Sequence, residues 1–357
     1  MKLLDVTLRE GEQRPGRRFS VDEKVAAARH LDALGVDYIQ LGFPVADDRT
    51  KRVADRYDGD AKTTGIARAI EGDIEATVEA GVDVIDLFAP TSDAQREFML
   101  GKSRDDLLAS VHEALDVAHD TGLDVHFTAM DGFRTDLDFL TTVVEAVDAE
   151  YVTLADTVGV RTPRGVEETL TALDTDLSRV GVHFHDDIGV ATANALTAAD
   201  MGIGRVDVSI AGIGERAGNV PTEEFVVAGL LGEESVDSNI DTANLLTHAH
   251  AVLDALGEDV SDWKPLLGDQ VFSHESGLHT AAMLDDPALF EPFDPAEFGG
   301  ERRLLFGPDT GRGAARRLLS RAGVEPTDER VAALLETLGE REEVELDDAL
   351  SLARAVR

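Results

Sequence analysis

Cysteine is missing from all 357 residues, and lysine nearly so: only six of the 33 cationic residues are lysine, the rest arginine. Without cysteine there is no disulfide frame, no thiolate nucleophile and no zinc site built on sulfur. No apolar run approaches the ~20 residues needed to span a bilayer. The N-terminus passes straight into a strand-like segment, without the layout of a signal peptide. A cytoplasmic protein outside the membrane is the expectation. Positive charge is scarce as well, with 71 acidic residues and a net charge of −38. Such a field repels nucleic acid and anionic lipid, so neither is an expected partner. The acids are scattered through helical segments rather than gathered in a tail, which reads as a solvated, halophilic surface whose self-repulsion is screened at high salt.

What is present is a core and a rhythm. Hydrophobic residues make up 43% of the chain, enough for one large domain and a small one. Strand-like runs fall near residues 3–8, 38–43, 62–66, 82–89, 125–130, 151–155, 180–185 and 206–210. Amphipathic helical segments separate them, several with legible ends. The segment 21–34 follows Ser20, a good N-cap, and stops at Gly35, while others stop at Gly81 and Gly122. Eight such units in about 230 residues predict a closed (β/α)8 TIM barrel, with active groups at the C-terminal ends of the strands. After residue 235 the pattern changes to a helix near 240–256, a polar loop 268–277 and short helices. The expected division is a catalytic barrel over 1–235 and a helical linker or lid over 236–357, with no C-terminal regulatory domain.

The first strand runs into Arg9 and Glu10, a cation beside a carboxylate where the chain turns at Gly11. His183 and His185 stand two apart on the seventh strand, so both imidazoles face one side. Strands one and seven flank strand eight in a barrel, and the three side chains Glu10, His183 and His185 can meet there around a metal. Asn219, after strand eight, can complete or brace the set. Gly212-Ile-Gly-Glu-Arg-Ala-Gly218 has the spacing GxGxxxG and follows the last strand, so it is not a dinucleotide loop. Its glycines are expected to let backbone approach a ligand.

The segments Asp5-Val-Thr-Leu-Arg-Glu-Gly-Glu-Gln13, Ala155-Asp-Thr-Val-Gly159, His183-Phe-His-Asp-Asp187, Gly212-Ile-Gly-Glu-Arg-Ala-Gly-Asn219 and His274-Glu-Ser-Gly-Leu-His279, in this order, resemble the 2-isopropylmalate and homocitrate synthase family of metal-dependent barrels. The resemblance covers residues 1 to about 315. It implies a transferase that condenses acetyl-CoA with a 2-oxo acid and then hydrolyses the thioester. It implies a divalent ion (Mg2+, Mn2+ or Zn2+) on Glu10, His183 and His185, with Asn219 beside them. Arg9 would stabilise the alkoxide, Gln13 would support the site, Thr157 would bind the acceptor carboxylate and Arg134 its far end. His274 or His279 would remove the acetyl proton, and a homodimer is implied. Members usually carry Glu-Asp where this chain has Met130-Asp131, so Asp131 would stand in for that glutamate. For the acceptor, Thr91-Ser92 with Arg96, and Gly132 to Asp136, resemble homocitrate synthases, whereas Glu215 to Asn219 is more similar to isopropylmalate synthases and nitrogenase-linked homocitrate synthases. Two other readings are a 3-hydroxyacyl-CoA lyase on the same barrel, and a weakened barrel that senses a metal and an oxo acid.

Overall fold

The computed structural model describes residues 1–232, 236 and 238–356. Eight parallel strands close into the expected barrel in sequential order. They are β1 (Lys2–Asp5), β2 (Tyr38–Gly42), β3 (Lys62–Arg68), β4 (Val84–Pro90), β5 (Asp124–Met130), β6 (Val152–Asp156), β7 (Val180–Phe184) and β8 (Arg205–Val208). Pairing of β1 with β8, from Lys2 opposite Arg205 to Asp5 opposite Val208, completes the cylinder. Among the described residues no helix is long and apolar enough to cross a membrane.

The helix signals act as the sequence implies. Ser20 accepts from the Glu23 backbone N–H while Glu23 reaches back to the Ser20 N–H, a reciprocal cap on helix Val21–Leu34. Gly35, at φ 93°, ends it in the left-handed region where a Cβ is costly.

One element departs from expectation in a way that shapes the site. β1 ends at Asp5, not at Leu8. The Asp5 carboxylate accepts the Thr7 backbone N–H (2.9 Å) and the Thr7 hydroxyl (3.0 Å), which turns the chain. Residues Thr7–Glu10 then form one helical turn, continued as a 3-10 turn over Gly11–Gln13. Val6 and Leu8 are fully buried all the same, so the apolar run signalled burial rather than strand.

The chain divides into two compact units. One contains Met1–Asp241 and His248–Asp259, the other Thr242–Thr247 and Val260–Arg357. In the second unit a three-stranded sheet forms from β9 (Ser273–His274), β10 (Arg303–Phe306) and β11 (Val344–Glu345), with β10 in the middle. Its core gathers Phe306 of β10 with Met283, Leu318, Val331 and Leu334 from the surrounding helices, all buried. The loop expected over 268–277 thus contains an edge strand of this sheet.

Candidate active site

The mouth of the barrel holds a cavity lined by side chains from every strand or the turn that follows it. Strand alternation decides which ones. Asp86 and Phe88 of β4, and Thr128 and Met130 of β5, are each two apart and share the inner face. Arg9, Glu10 and Gln13 enter from the turn after β1, His183 and His185 from β7 and the residue after it, and Thr157 from just beyond β6.

Glu10, His183 and His185 each present a ligating atom within 4.8 Å of the others, and all three are buried. Donors held ~2.1 Å from one ion lie at most about 4.2 Å apart, so small side-chain adjustments suffice. The His183 Nδ1 lies 3.1 Å from an oxygen of Asp207. The carboxylate accepts a hydrogen bond from Nδ1–H, leaving the Nε2 lone pair turned toward Glu10, 3.5 Å away. Nδ1 of His185 and Oδ1 of Asn219 are among the buried atoms at the site that have no hydrogen-bonding partner. Burial, helped by His183, Arg216 and Arg9, holds the His185 pKa far below its ordinary value, so the ring is neutral. Two imidazoles, one carboxylate and an idle amide oxygen fit a divalent cation such as Zn2+, Mn2+ or Mg2+.

Asn219 sits against His183, with its Nδ2 3.3 Å from Nε2 and 3.2 Å from the Phe184 carbonyl. The glycine loop explains this seat. A Cβ on Gly214 would fall 1.9 Å from the Asn219 Oδ1, and one on Gly218, at φ 95°, would fall 2.0 Å from the Gly212 carbonyl. The glycines therefore let the loop close on its own backbone and on Asn219.

Arg9 forms an ion pair with Glu10 and donates to Gln40 Oε1 (2.5 Å). Gln13 braces both, donating its amide to Glu10 (2.8 Å) and accepting from Arg9 (3.2 Å). Burial lowers the Arg9 pKa to about 10, against Asp207, Asp86 and Glu215, which raise it. The guanidinium stays charged at neutral pH.

Asp131 and Arg134 are joined to each other. Arg134 donates through Nε (2.8 Å) and Nη2 (2.7 Å) to the two carboxylate oxygens, and the Ser92 hydroxyl donates to one of them. Neither residue lines the cavity. Asp131 instead donates its backbone N–H to the Thr157 hydroxyl oxygen (2.8 Å), so that Thr157 is fixed at the cavity wall. Both expected bases lie in the second unit. His274 Nε2 is 3.3 Å from Glu291, whose carboxylate also takes Arg302. The His279 ring stacks on Phe290 at 4.0 Å between centroids.

Sequence reasoning missed a polar ladder beneath the cavity. Arg205, fully buried, donates to Thr153 (2.6 Å) and lies 3.2 Å from Asp207 and 3.7 Å from Asp86. Asp86 in turn accepts from Gln40 (3.1 Å) and Thr128 (3.2 Å). The signal was a charged residue at an inward position in an otherwise apolar strand, as at Asp86 and Asp207.

This barrel, with Glu10, His183 and His185 gathered at its C-terminal mouth, belongs to the HMGL-like family, whose model matches residues 1–252. Residues 266–344 match the homocitrate synthase post-HMGL domain-like family. Among full-length relatives, a probable 2-isopropylmalate synthase of Methanopyrus kandleri is 37% identical over 95% of this chain and 69% of its own length. A homocitrate synthase AksA of Methanosarcina acetivorans is 35% identical over 94% of this chain and 84% of its own. A 2-isopropylmalate synthase of Sulfurisphaera tokodaii is 36% identical, over 94% and 89% respectively. An HMG-CoA lyase from Bacillus subtilis superposes with a TM-score of 0.64 at 22% identity, covering 72% of this chain and 94% of that one, which is a likeness of fold.

Proposed function

We propose that the protein is an acyltransferase that condenses acetyl-CoA with a 2-oxo acid and releases free coenzyme A, as the names of its synthase relatives suggest. The observation that carries this is the meeting of Glu10, His183 and His185 in one cavity with Arg9. A divalent ion held by those three, with Asn219 alongside, would supply Lewis-acid polarisation of the acceptor ketone. Arg9 donates to the oxygen that becomes an alkoxide. Its own position is set by Gln40 and Gln13. Thr157, anchored through Asp131, directs its hydroxyl to the acceptor carboxylate. Asp131 supports rather than exchanges protons, since Arg134 and Ser92 occupy its oxygens.

The acetyl methyl must lose a proton to a base. The family resemblance offers His274 for this step, its ring oriented by Glu291 3.3 Å away. The resulting carbanion forms a bond to the ketone carbon, and the alkoxide takes up a proton. Water then cleaves the thioester to a carboxylic acid and the thiol of coenzyme A. On this reading the enzyme is a cytoplasmic homodimer suited to high salt, the last supported by the net charge of −38.

The test is thiol release at molar KCl with Mn2+ or Mg2+, acetyl-CoA and a panel of 2-oxo acids. Acid-dependent release is expected, and His274→Ala should reduce it ~100-fold or more. Release with no acid would overturn the synthase reading. Cleavage of a 3-hydroxyacyl-CoA in its place would establish the lyase, which the absence of cysteine disfavours.

A further inference from the structure

The acceptor end of the cavity is distinctive in what it offers a substrate. Away from Arg9, Glu10, His183 and His185, its apolar lining includes Ile66, Phe88 and Met130, and its polar lining includes Gln40, Asp86 and Thr128. Arg9 is the one cation in the lining, and it belongs to the reacting end beside Glu10. The two arginines that could have read a second carboxylate are engaged elsewhere. Arg134 is held by both oxygens of Asp131, which is 1% exposed, so withdrawing it would strand a buried carboxylate. Arg96 is 4% exposed and bound to Asp93 and the Lys102 carbonyl. A second carboxylate in this end would thus meet apolar walls and the Asp86 carboxylate, with no cation to pair it.

Phe88 and Met130 have a second role. Both also line an adjoining cavity, otherwise walled largely by apolar side chains such as Ile70, Met99, Leu107 and Val111. They form the partition between the two spaces. The adjoining cavity has two cations. Arg68 is held by both oxygens of Asp73 (2.7 and 2.8 Å), and Lys102 donates to the Ser110 hydroxyl.

We infer that the acceptor is a monocarboxylic 2-oxo acid with a short apolar tail, and that Met130, backed by Phe88, limits the length of that tail. This rests on the synthase reading above and names the substrate class of the same site. The tail contacts Ile66, Phe88 and Met130, where each added methylene gains by burial until the partition is reached. Shortening Met130 joins the two cavities and admits a longer tail.

The experiment measures kcat/KM for thiol release with pyruvate, 2-oxobutyrate, 2-oxoisovalerate, 2-oxohexanoate and 2-oxoglutarate at molar KCl with Mn2+, for the wild type and Met130→Ala. For the wild type one of the three short apolar acids should exceed 2-oxoglutarate by roughly 100-fold or more. Met130→Ala should raise the ratio of 2-oxohexanoate to 2-oxobutyrate by roughly tenfold. Preference for 2-oxoglutarate overturns the inference and leaves the synthase reading intact. An unchanged length ratio in a variant that still turns over overturns the role of Met130. Silence with every acid overturns both the synthase reading and the inference built on it. The wild-type panel decides the substrate class even where the variant folds poorly.

Discussion

Replacing Asp207 by Asn tests the polar ladder and the ligating trio together. Asp207 is 3% exposed and touches two partners, His183 Nδ1 at 3.1 Å and Arg205 at 3.2 Å. Burial pushes its pKa up, but Arg205, His183 and Arg9 outweigh burial, and the carboxyl ends below its usual value. Its stabilising effect is therefore present above its ordinary pKa and is lost as pH falls through the lower folded value. Asn keeps the shape and loses the charge. The first consequence falls on His183, since an amide can donate to Nδ1 and select the wrong tautomer, which puts the proton on Nε2. Metal affinity should fall 10- to 100-fold, which is about 1.4–2.7 kcal/mol. The second consequence falls on Arg205, a buried guanidinium left with Asp86 at 3.7 Å as its nearest carboxylate. Breaking such a pair costs as much as 3–5 kcal/mol, less here because Asp86 and Thr153 remain. Titration calorimetry of Mn2+ into metal-free protein reads the first effect, and urea unfolding at pH 7 in molar salt reads the second. A variant with wild-type metal affinity and wild-type stability would refute both the orienting role and the ladder.

Other outcomes follow from single contacts. His183→Ala should lose metal retention, read by metal analysis after gel filtration, and full retention would remove the proposed ion site. Gly214→Ala places a methyl on the Asn219 amide, where a Cβ would approach to 1.9 Å, and should destabilise by about 1–3 kcal/mol, a melting curve like the wild type's being the contrary result. Asp5 is fully buried, and desolvation, with some help from Glu223 and against hydrogen bonds from Thr7, raises its pKa to about 7. The folded state then holds a proton that the unfolded state releases near pH 4, so this group makes stability fall as pH rises from about 4 to 7. At ~1.4 kcal/mol per unit the whole effect is at most about 4 kcal/mol. Asp5→Asn should gain stability relative to wild type across that interval, and parallel pH profiles would contradict the shift. The charge of −38 predicts a melting temperature that climbs from low to molar salt, which a flat profile would disprove.

The barrel and the meeting of Glu10, His183 and His185 were legible from the chain because they rest on local rules. Strand residues two apart share a face, eight even β/α units close a cylinder, and residues after the strands collect at one mouth. Those rules brought Glu10 to His183 and His185 across 173 residues of sequence. Arg9, Gln13 and Thr157 came to the cavity by the same logic, and Asn219 came beside His183. The end of β1 was misread because burial at a barrel mouth and burial in a strand leave the same apolar trace, and the turn at Thr7 depends on one side-chain acceptor, Asp5.

What the tertiary structure alone decided is the choice of partners among like groups. Arg134 has the right place in the sequence to read a substrate, yet Asp131, three residues earlier and in the left-handed conformation at φ 61°, captures it. Asp207 serves His183 because the inward positions of β7 and β8 face each other, and Arg205 joins Thr153, Asp86 and Asp207 across the cylinder. The apolar lining of Ile66, Phe88 and Met130 is assembled from three strands. Side-chain chemistry and strand periodicity are properties of the chain, whereas which charge neutralises which is set by cross-strand distances of a few ångströms, and those exist only once the barrel has closed.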